Sequence, residues 1–104
     1  MIRATVVYPN KDGTKFDMDY YLNSHVKLVE DRLKSFGISD IRVDAGLAGG
    51  APGSPAPYHC IFQVNYPSVE KLTEAMAAHG QELMADALNY TDATPIIQVS
   101  EIKL

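Results

Sequence analysis

The chain has 104 residues, with 9 Lys plus Arg, 13 Asp plus Glu and a formal net charge of −4. That length predicts one domain over 1–104. A net negative charge without a cationic cluster argues against nucleic acid as a partner, and 46% hydrophobic with 21% charged residues excludes a disordered chain.

Residues 2–8 are rich in β-formers (Thr5, Val6, Val7) and closed by Pro9, which predicts a first strand. Asp12-Gly13 marks a turn. Asp17 suits a helix cap and Asp19 its first turn, where the positive end of the dipole lies. From there Met18, Leu22, Val26, Val29, Leu33 and Phe36 recur at helical spacing, and Gly37 supplies a stop. Residues 38–47 read as a second strand. Segment 46–57, with Gly46, Gly49, Gly50 and Gly53 among its residues, reads as a mobile connecting loop. It lacks the Gly-Lys-Ser/Thr ending of a phosphate loop and leads into a strand, which excludes nucleotide binding there.

The third strand is predicted over 58–66, stopped by Pro67. Ser68 suits the cap of a second helix, whose inward stripe reads Val69, Leu72, Met76, His79, Leu83 and Ala87. Gly80 interrupts that stripe, leaving one kinked helix or two short ones. Residues 89–95 form a turn region and 96–104 a last strand. The order β-α-β-β-α-β is the ferredoxin-like signature: an α+β fold with a four-stranded antiparallel sheet and both helices on one face. In the third strand Tyr58, Cys60, Phe62 and Val64 alternate with His59, Ile61, Gln63 and Asn65. The strands thus carry apolar groups on both sides, so a second copy of the chain is expected to cover the helix-free face, giving a homodimer.

The single cysteine, Cys60, leaves no intrachain disulfide and fits a reducing compartment. No run approaches the ~18 apolar residues of a membrane span, and the N-terminus reads as a strand rather than a leader. The expectation is a cytoplasmic protein with neither membrane nor nucleic acid as a partner.

Three histidines are available: His25, His59 and His79. On a helical wheel His25 sits within the first apolar stripe, with Tyr21 one turn before it and Arg32 toward the same side. His79 occupies the inward side of the second helix. Both imidazoles are therefore expected to meet in one polar hollow between helices and sheet, as neutral rings suited to proton transfer. A satisfied core histidine is the plainer alternative for each. Tyr21 and Tyr90 are candidates for the walls of that hollow, with Tyr58 and Cys60 also lining it. Asp86 and Asp92 could orient His79, although solvation at the surface is the simpler expectation. Histidine and cysteine at these spacings match no metal template, so no metal is expected.

The segment Phe16-Asp17-Met18-Asp19-Tyr20-Tyr21-Leu22-Asn23-Ser24-His25 resembles the start of the EthD family, named for a component of ethyl tert-butyl ether degradation. Three more stretches match it in order: 46–58, 79–92 and 95–101. One departure is Lys27, where family members often carry proline. The resemblance implies a dimeric α+β barrel, in which two ferredoxin-like subunits join through their sheets. It also implies a cofactor-free protein of catabolic or secondary metabolism that handles a small apolar or aromatic oxygenated compound in a pocket between sheet and helices. Two readings follow. In one, His25 and His79 carry acid/base chemistry of an isomerase, cyclase, dehydratase or monooxygenase-like enzyme, with Tyr21, Arg32, Tyr58, Cys60 and Tyr90 binding substrate. In the other, the protein binds a hydrophobic ligand without catalysis, or supports a partner oxygenase. Haem ligation by His25 or His79 is a third.

Overall fold

The structure is a computed structural model and describes all 104 residues. Strand β1 (Ile2–Pro9) leads into a composite helix, α1, over 18–36. Strands β2 (Ser39–Ala45) and β3 (Tyr58–Tyr66) follow, then helix α2 (Val69–Asp86) with a closing turn at Ala87–Asn89, and strand β4 (Ile96–Glu101). All pairings are antiparallel in the order β2-β3-β1-β4. This is the predicted ferredoxin-like α+β architecture. No helix is long and apolar enough to cross a membrane.

Helix α1 starts as predicted: the Asp17 carboxylate accepts from the Tyr20 N–H and relieves one of the unpaired donors of the first turn. It then departs from a regular wheel. Residues Tyr21–His25 form a π-helical turn, with the Val26 N–H reaching back to the Tyr21 carbonyl. The extra residue in that turn rotates what precedes it. Tyr21 and His25 are both buried while Leu22, predicted inward, is 43% exposed. Regular α-helix resumes over Val26–Leu33 with Val26, Val29 and Leu33 inward. The helix stops at Gly37, whose φ of +78° is the left-handed cap that the sequence predicted. A Cβ there would also lie 2.8 Å from Pro67 Cγ.

Helix α2 is capped by Ser68 and runs unbroken through Gly80. Its inward positions are Leu72, Ala75, His79, Leu83 and Asp86; Val69 and Met76, predicted inward, are exposed. The core lies between the helices and the sheet and includes Ala4, Phe62, Val64, Tyr66, Val29 and Leu33. The first and third strands pair residue for residue from Ile2↔Tyr66 to Tyr8↔Cys60, then shift so that Pro9 faces Tyr58. His59 is the extra residue of this bulge. A bulge reverses the alternation beyond it. Tyr58 consequently joins the helix-free face with Thr5 and Val7, and His59 turns toward Phe16. The expectation of Tyr58 on the Cys60 side is corrected accordingly.

The segment 46–57, expected as a mobile loop, folds back on itself: Gly49 N–H donates to the Ser54 carbonyl, and Asn10 ties it to Ala56 and Pro57. The helix-free face is more polar than expected. Val7, Ile61 and Ile96 form one apolar row across it, while Thr5, Gln63 and Gln98 form the next. On the opposite side of the edge strand β4, Ile97 and Val99 remain 57% and 48% exposed, beyond the reach of the helices.

Candidate functional site

The buried polar groups concentrate where α1 begins, α2 ends and the β1/β3 bulge meets them. The π-turn points Tyr21 and His25 inward together, and their rings stack at 5.2 Å. The ring of Tyr90, delivered by the turn after α2, sits 4.7 Å from His25. Phe16 packs against Tyr8, Tyr21 and Tyr90 and stacks on His59. The result is a wall of aromatic rings that begins at His59 and ends at His25.

His25 Nδ1 lies 2.9 Å from Asp86 Oδ2. The other carboxylate oxygen accepts from Tyr20 Oη at 2.8 Å and from Asn89 Nδ2 at 3.0 Å. Burial opposes the Asp86 charge, but the hydrogen bonds from His25, Asn89 and Tyr20 outweigh it and hold the carboxyl below its ordinary pKa. An ionised carboxylate only accepts, so Nδ1 of His25 carries the hydrogen and donates it. In the neutral ring the lone pair then resides on Nε2. No buried side-chain nitrogen or oxygen in the protein lacks a partner. Nε2 has none, so it borders solvent-reachable space even though the residue is only 6% exposed.

Behind this pair lies a cluster of hydroxyls. Tyr8 Oη is 2.9 Å from Tyr90 Oη and 3.5 Å from Tyr21 Oη. Burial pushes all three phenols well above their usual pKa. They are neutral donors and acceptors near pH 7, not bases. Two contacts among three hydroxyls leave at least one hydroxyl hydrogen for another acceptor. Burial, aided by the charge of Asp44, pushes the Cys60 thiol up to about 12. It is an inert part of the wall, not a nucleophile.

His59 has a fixed tautomer too. The Thr14 hydroxyl donates to the Lys11 carbonyl at 2.6 Å, so its oxygen accepts from His59 Nε2 at 2.8 Å.

The structure brings together His25, Tyr21, Cys60 and Tyr90 from the predicted set, and separates the rest. His79 does not join His25. Its side chain is 29% exposed, its Nδ1 is 4.0 Å from Glu82 Oε1, and its ring meets the edge of Phe36. It lies two helical turns before Asp86, roughly 10 Å along α2. Arg32 faces the same surface seam: Nε and Nη2 grip the Glu82 carboxylate at 2.9 and 3.3 Å, and Nη1 meets Asp31 at 2.6 Å. Its guanidinium is occupied in clamping α1 to α2. Tyr58 lines the helix-free face. Neither of the two principal pockets, of about 620 and 430 Å³, is lined by His25 or His79. Aromatic rings fill much of the space the wheel left open.

Tyr8, Tyr20 and His59 enter the site although the sequence reading did not place them there, and Asp86, weighed only as an orienting partner for His79, pairs with His25 instead. Asp86 was legible in principle. It falls seven residues after His79, two turns along the same stripe, and its charge suggested solvent instead. No three His, Cys, Asp or Glu side chains converge into a metal-holding group.

The EthD domain family model matches residues 13–94. An EthD-like protein from Ralstonia eutropha is 37% identical, with 99% of this chain and 92% of that one covered at a TM-score of 0.92. An EthD family protein from Bacillus halodurans is 20% identical over 99% of both chains, TM-score 0.71. A dimeric protein of unknown function with a ferredoxin-like fold, from Bacteroides fragilis, shares the fold alone: 9% identity, 97% and 95% coverage, TM-score 0.57. A comparison with curated proteins gave no match. With the family model spanning most of its length and the β-α-β-β-α-β order in place, the chain belongs to the EthD family.

Proposed function

We propose that the protein performs cofactor-free proton transfer on a small apolar or aromatic oxygenated compound, with His25 as the acid/base. The observation that carries this reading is the His25–Asp86 pair with Nε2 left unpartnered at the edge of an aromatic wall. Nε2 takes a proton from an acidic C–H or O–H of the bound compound. The Asp86 carboxylate stabilises the imidazolium that forms, and the same nitrogen returns the proton to a second position. Isomerisation, dehydration and cyclisation each need such a transfer. Tyr21 and Tyr90 supply apolar contact, and the neutral hydroxyls of Tyr8, Tyr21 and Tyr90 suit an oxygen of the substrate. Cys60 completes the wall. His79, Arg32 and Tyr58 have no part in this chemistry.

We take the protein to act as a homodimer joined through the helix-free sheet faces. The apolar row of Val7, Ile61 and Ile96 and the dimeric B. fragilis neighbour support this. A single buried Cys60 fits a cytoplasmic setting.

The test is deuterium incorporation from D2O, without added cofactor, into a panel of small carbonyl-bearing aromatics followed by proton NMR. The wild type is expected to label at least one compound, and His25→Asn to slow labelling by at least ~100-fold. Equal labelling by the variant would overturn the catalytic assignment. Binding of a panel compound without any labelling would favour the second reading, a ligand-binding or accessory protein built on the same wall.

A further inference from the structure

Asp86 stands in the last turn of α2 with its side chain 15% exposed. A carboxylate at such a boundary is drawn out into water unless the protein offers it enough donors. His25 supplies one, to Oδ2. Each carboxylate oxygen accepts up to two hydrogen bonds. Oδ1 receives both of its own, from Tyr20 Oη at 2.8 Å and from Asn89 Nδ2 at 3.0 Å. The placement of the carboxylate against the imidazole is therefore decided at the oxygen that His25 does not touch.

The two donors to Oδ1 are unequal. Asn89 lies on the turn that closes α2, moves with the same segment as Asp86, and is exposed, so water can replace its amide. Tyr20 reaches Asp86 from the other helix and is anchored along its length. Its backbone N–H is bound by the Asp17 carboxylate, and the Asp17 N–H donates to the Tyr90 carbonyl at 2.7 Å. Its ring stacks on that of Tyr90, with centroids 6.3 Å apart and 22° between the planes. The hydrogen bond to Asp86 raises the Tyr20 phenol above its ordinary pKa, so the hydroxyl keeps its hydrogen and donates it. Tyr20 thus ties the carboxylate of α2 to the same helix that carries His25.

We propose that Tyr20 is a positioning residue for the His25 base: its hydroxyl fixes the Asp86 carboxylate against Nδ1 and so keeps the ring in the tautomer with a bare Nε2. This role rests on the reading of His25 as the acid/base. Tyr20 acts through Asp86 and makes no contact with substrate.

The test is Tyr20→Phe, which removes the hydroxyl and keeps the ring that stacks on Tyr90. The Nδ1 hydrogen of His25 is followed by NMR in ¹⁵N-labelled protein, and its rate of exchange with water is measured on the neutral ring. The expected result is exchange at least ~10-fold faster in Tyr20→Phe, as for the loss of one hydrogen bond to a charged group, with backbone amide exchange along α1 and α2 as in the wild type. Asn89→Ala, which removes the exposed donor, should speed it only about twofold. In the D2O labelling assay, Tyr20→Phe should lower kcat roughly fivefold and leave KM unchanged. Imidazole exchange as slow as in the wild type, amide exchange along α1 accelerated in step with it, a larger effect from Asn89→Ala, or a raised KM with kcat intact would each overturn the assignment to Tyr20. The imidazole signal needs no turnover. A wild type that labels no compound would overturn the catalytic reading of His25, and the exchange rates would still decide whether Tyr20 holds Asp86 in place.

Discussion

Replacing Asp86 by Asn retains the shape of the side chain and removes its charge. The carboxylate accepts three side-chain hydrogen bonds, from His25 at 2.9 Å, Tyr20 at 2.8 Å and Asn89 at 3.0 Å. Asparagine has one acceptor oxygen. If that oxygen stays with Tyr20 and Asn89, the amide N–H groups face the His25 Nδ1–H, and the imidazole must move its hydrogen to Nε2 or break contact. A hydrogen bond to a charged group contributes ~1.5–3 kcal/mol and a neutral one ~0.5–1.5 kcal/mol. With an Asp86 side chain only 15% exposed, the carboxylate also regains some hydration cost when its charge is removed. The net loss should be about 2 kcal/mol, or roughly 10 °C in Tm for a domain of this size. Thermal and urea unfolding at pH 7 of the wild type, Asp86→Asn, His25→Leu and the double variant closes a double-mutant cycle. The pair should be coupled by about 1–2 kcal/mol. A Tm shift under about 2 °C together with additive single effects would refute the claim that these two side chains form a working unit.

Other consequences are open to simpler measurements. Folding lowers the Asp86 pKa below the ordinary 3.8, so its contribution is present above that value and is lost as pH falls through the depressed one. Acid unfolding of the wild type should therefore show a stability loss below pH 3.8 that Asp86→Asn lacks. The Cys60 thiol, pushed up to about 12, should resist iodoacetamide at pH 8 in the folded protein and react once urea unfolds it; mass spectrometry of the alkylated protein reads both. Gly37→Ala meets both a positive φ and Pro67 Cγ at 2.8 Å, and urea unfolding should reveal a loss of about 1–2 kcal/mol.

Hydrophobic periodicity was sufficient for the architecture, because an amphipathic helix and a half-buried strand announce their spacing directly. The long loop, the Asp17 and Ser68 caps and the Gly37 stop were equally legible. The site was legible only in part, and for local reasons. A wheel at 100° per residue carries no provision for the π-turn at Tyr21–His25. Nothing in that stretch, which lacks proline and glycine, signals the extra residue, so Leu22 was read inward and the pairing of Tyr21 with His25 was understated. Strict alternation in β3 likewise had no place for the bulge at His59, and the faces of Tyr58 and His59 were exchanged. Gly80 was read as a breaker, yet α2 packs along its whole length and absorbs the ~1 kcal/mol that a helical glycine costs. His79 and Arg32 were read as facing the layer between helices and sheet, and both lie instead at the seam between α1 and α2. Both meet Glu82 there: His79 from one turn before it on the same helix, Arg32 from the other helix in a long-range pair that periodicity cannot anticipate.

The reading of His25 as a base rests on which of its nitrogens is bare. Long-range ¹H–¹⁵N spectra of the imidazole in the wild-type protein, recorded on the neutral ring, read this directly. The account predicts a protonated Nδ1 and an unprotonated Nε2 for His25, with the pattern altered in Asp86→Asn. A wild-type ring with its hydrogen on Nε2 and a bare Nδ1 would contradict it.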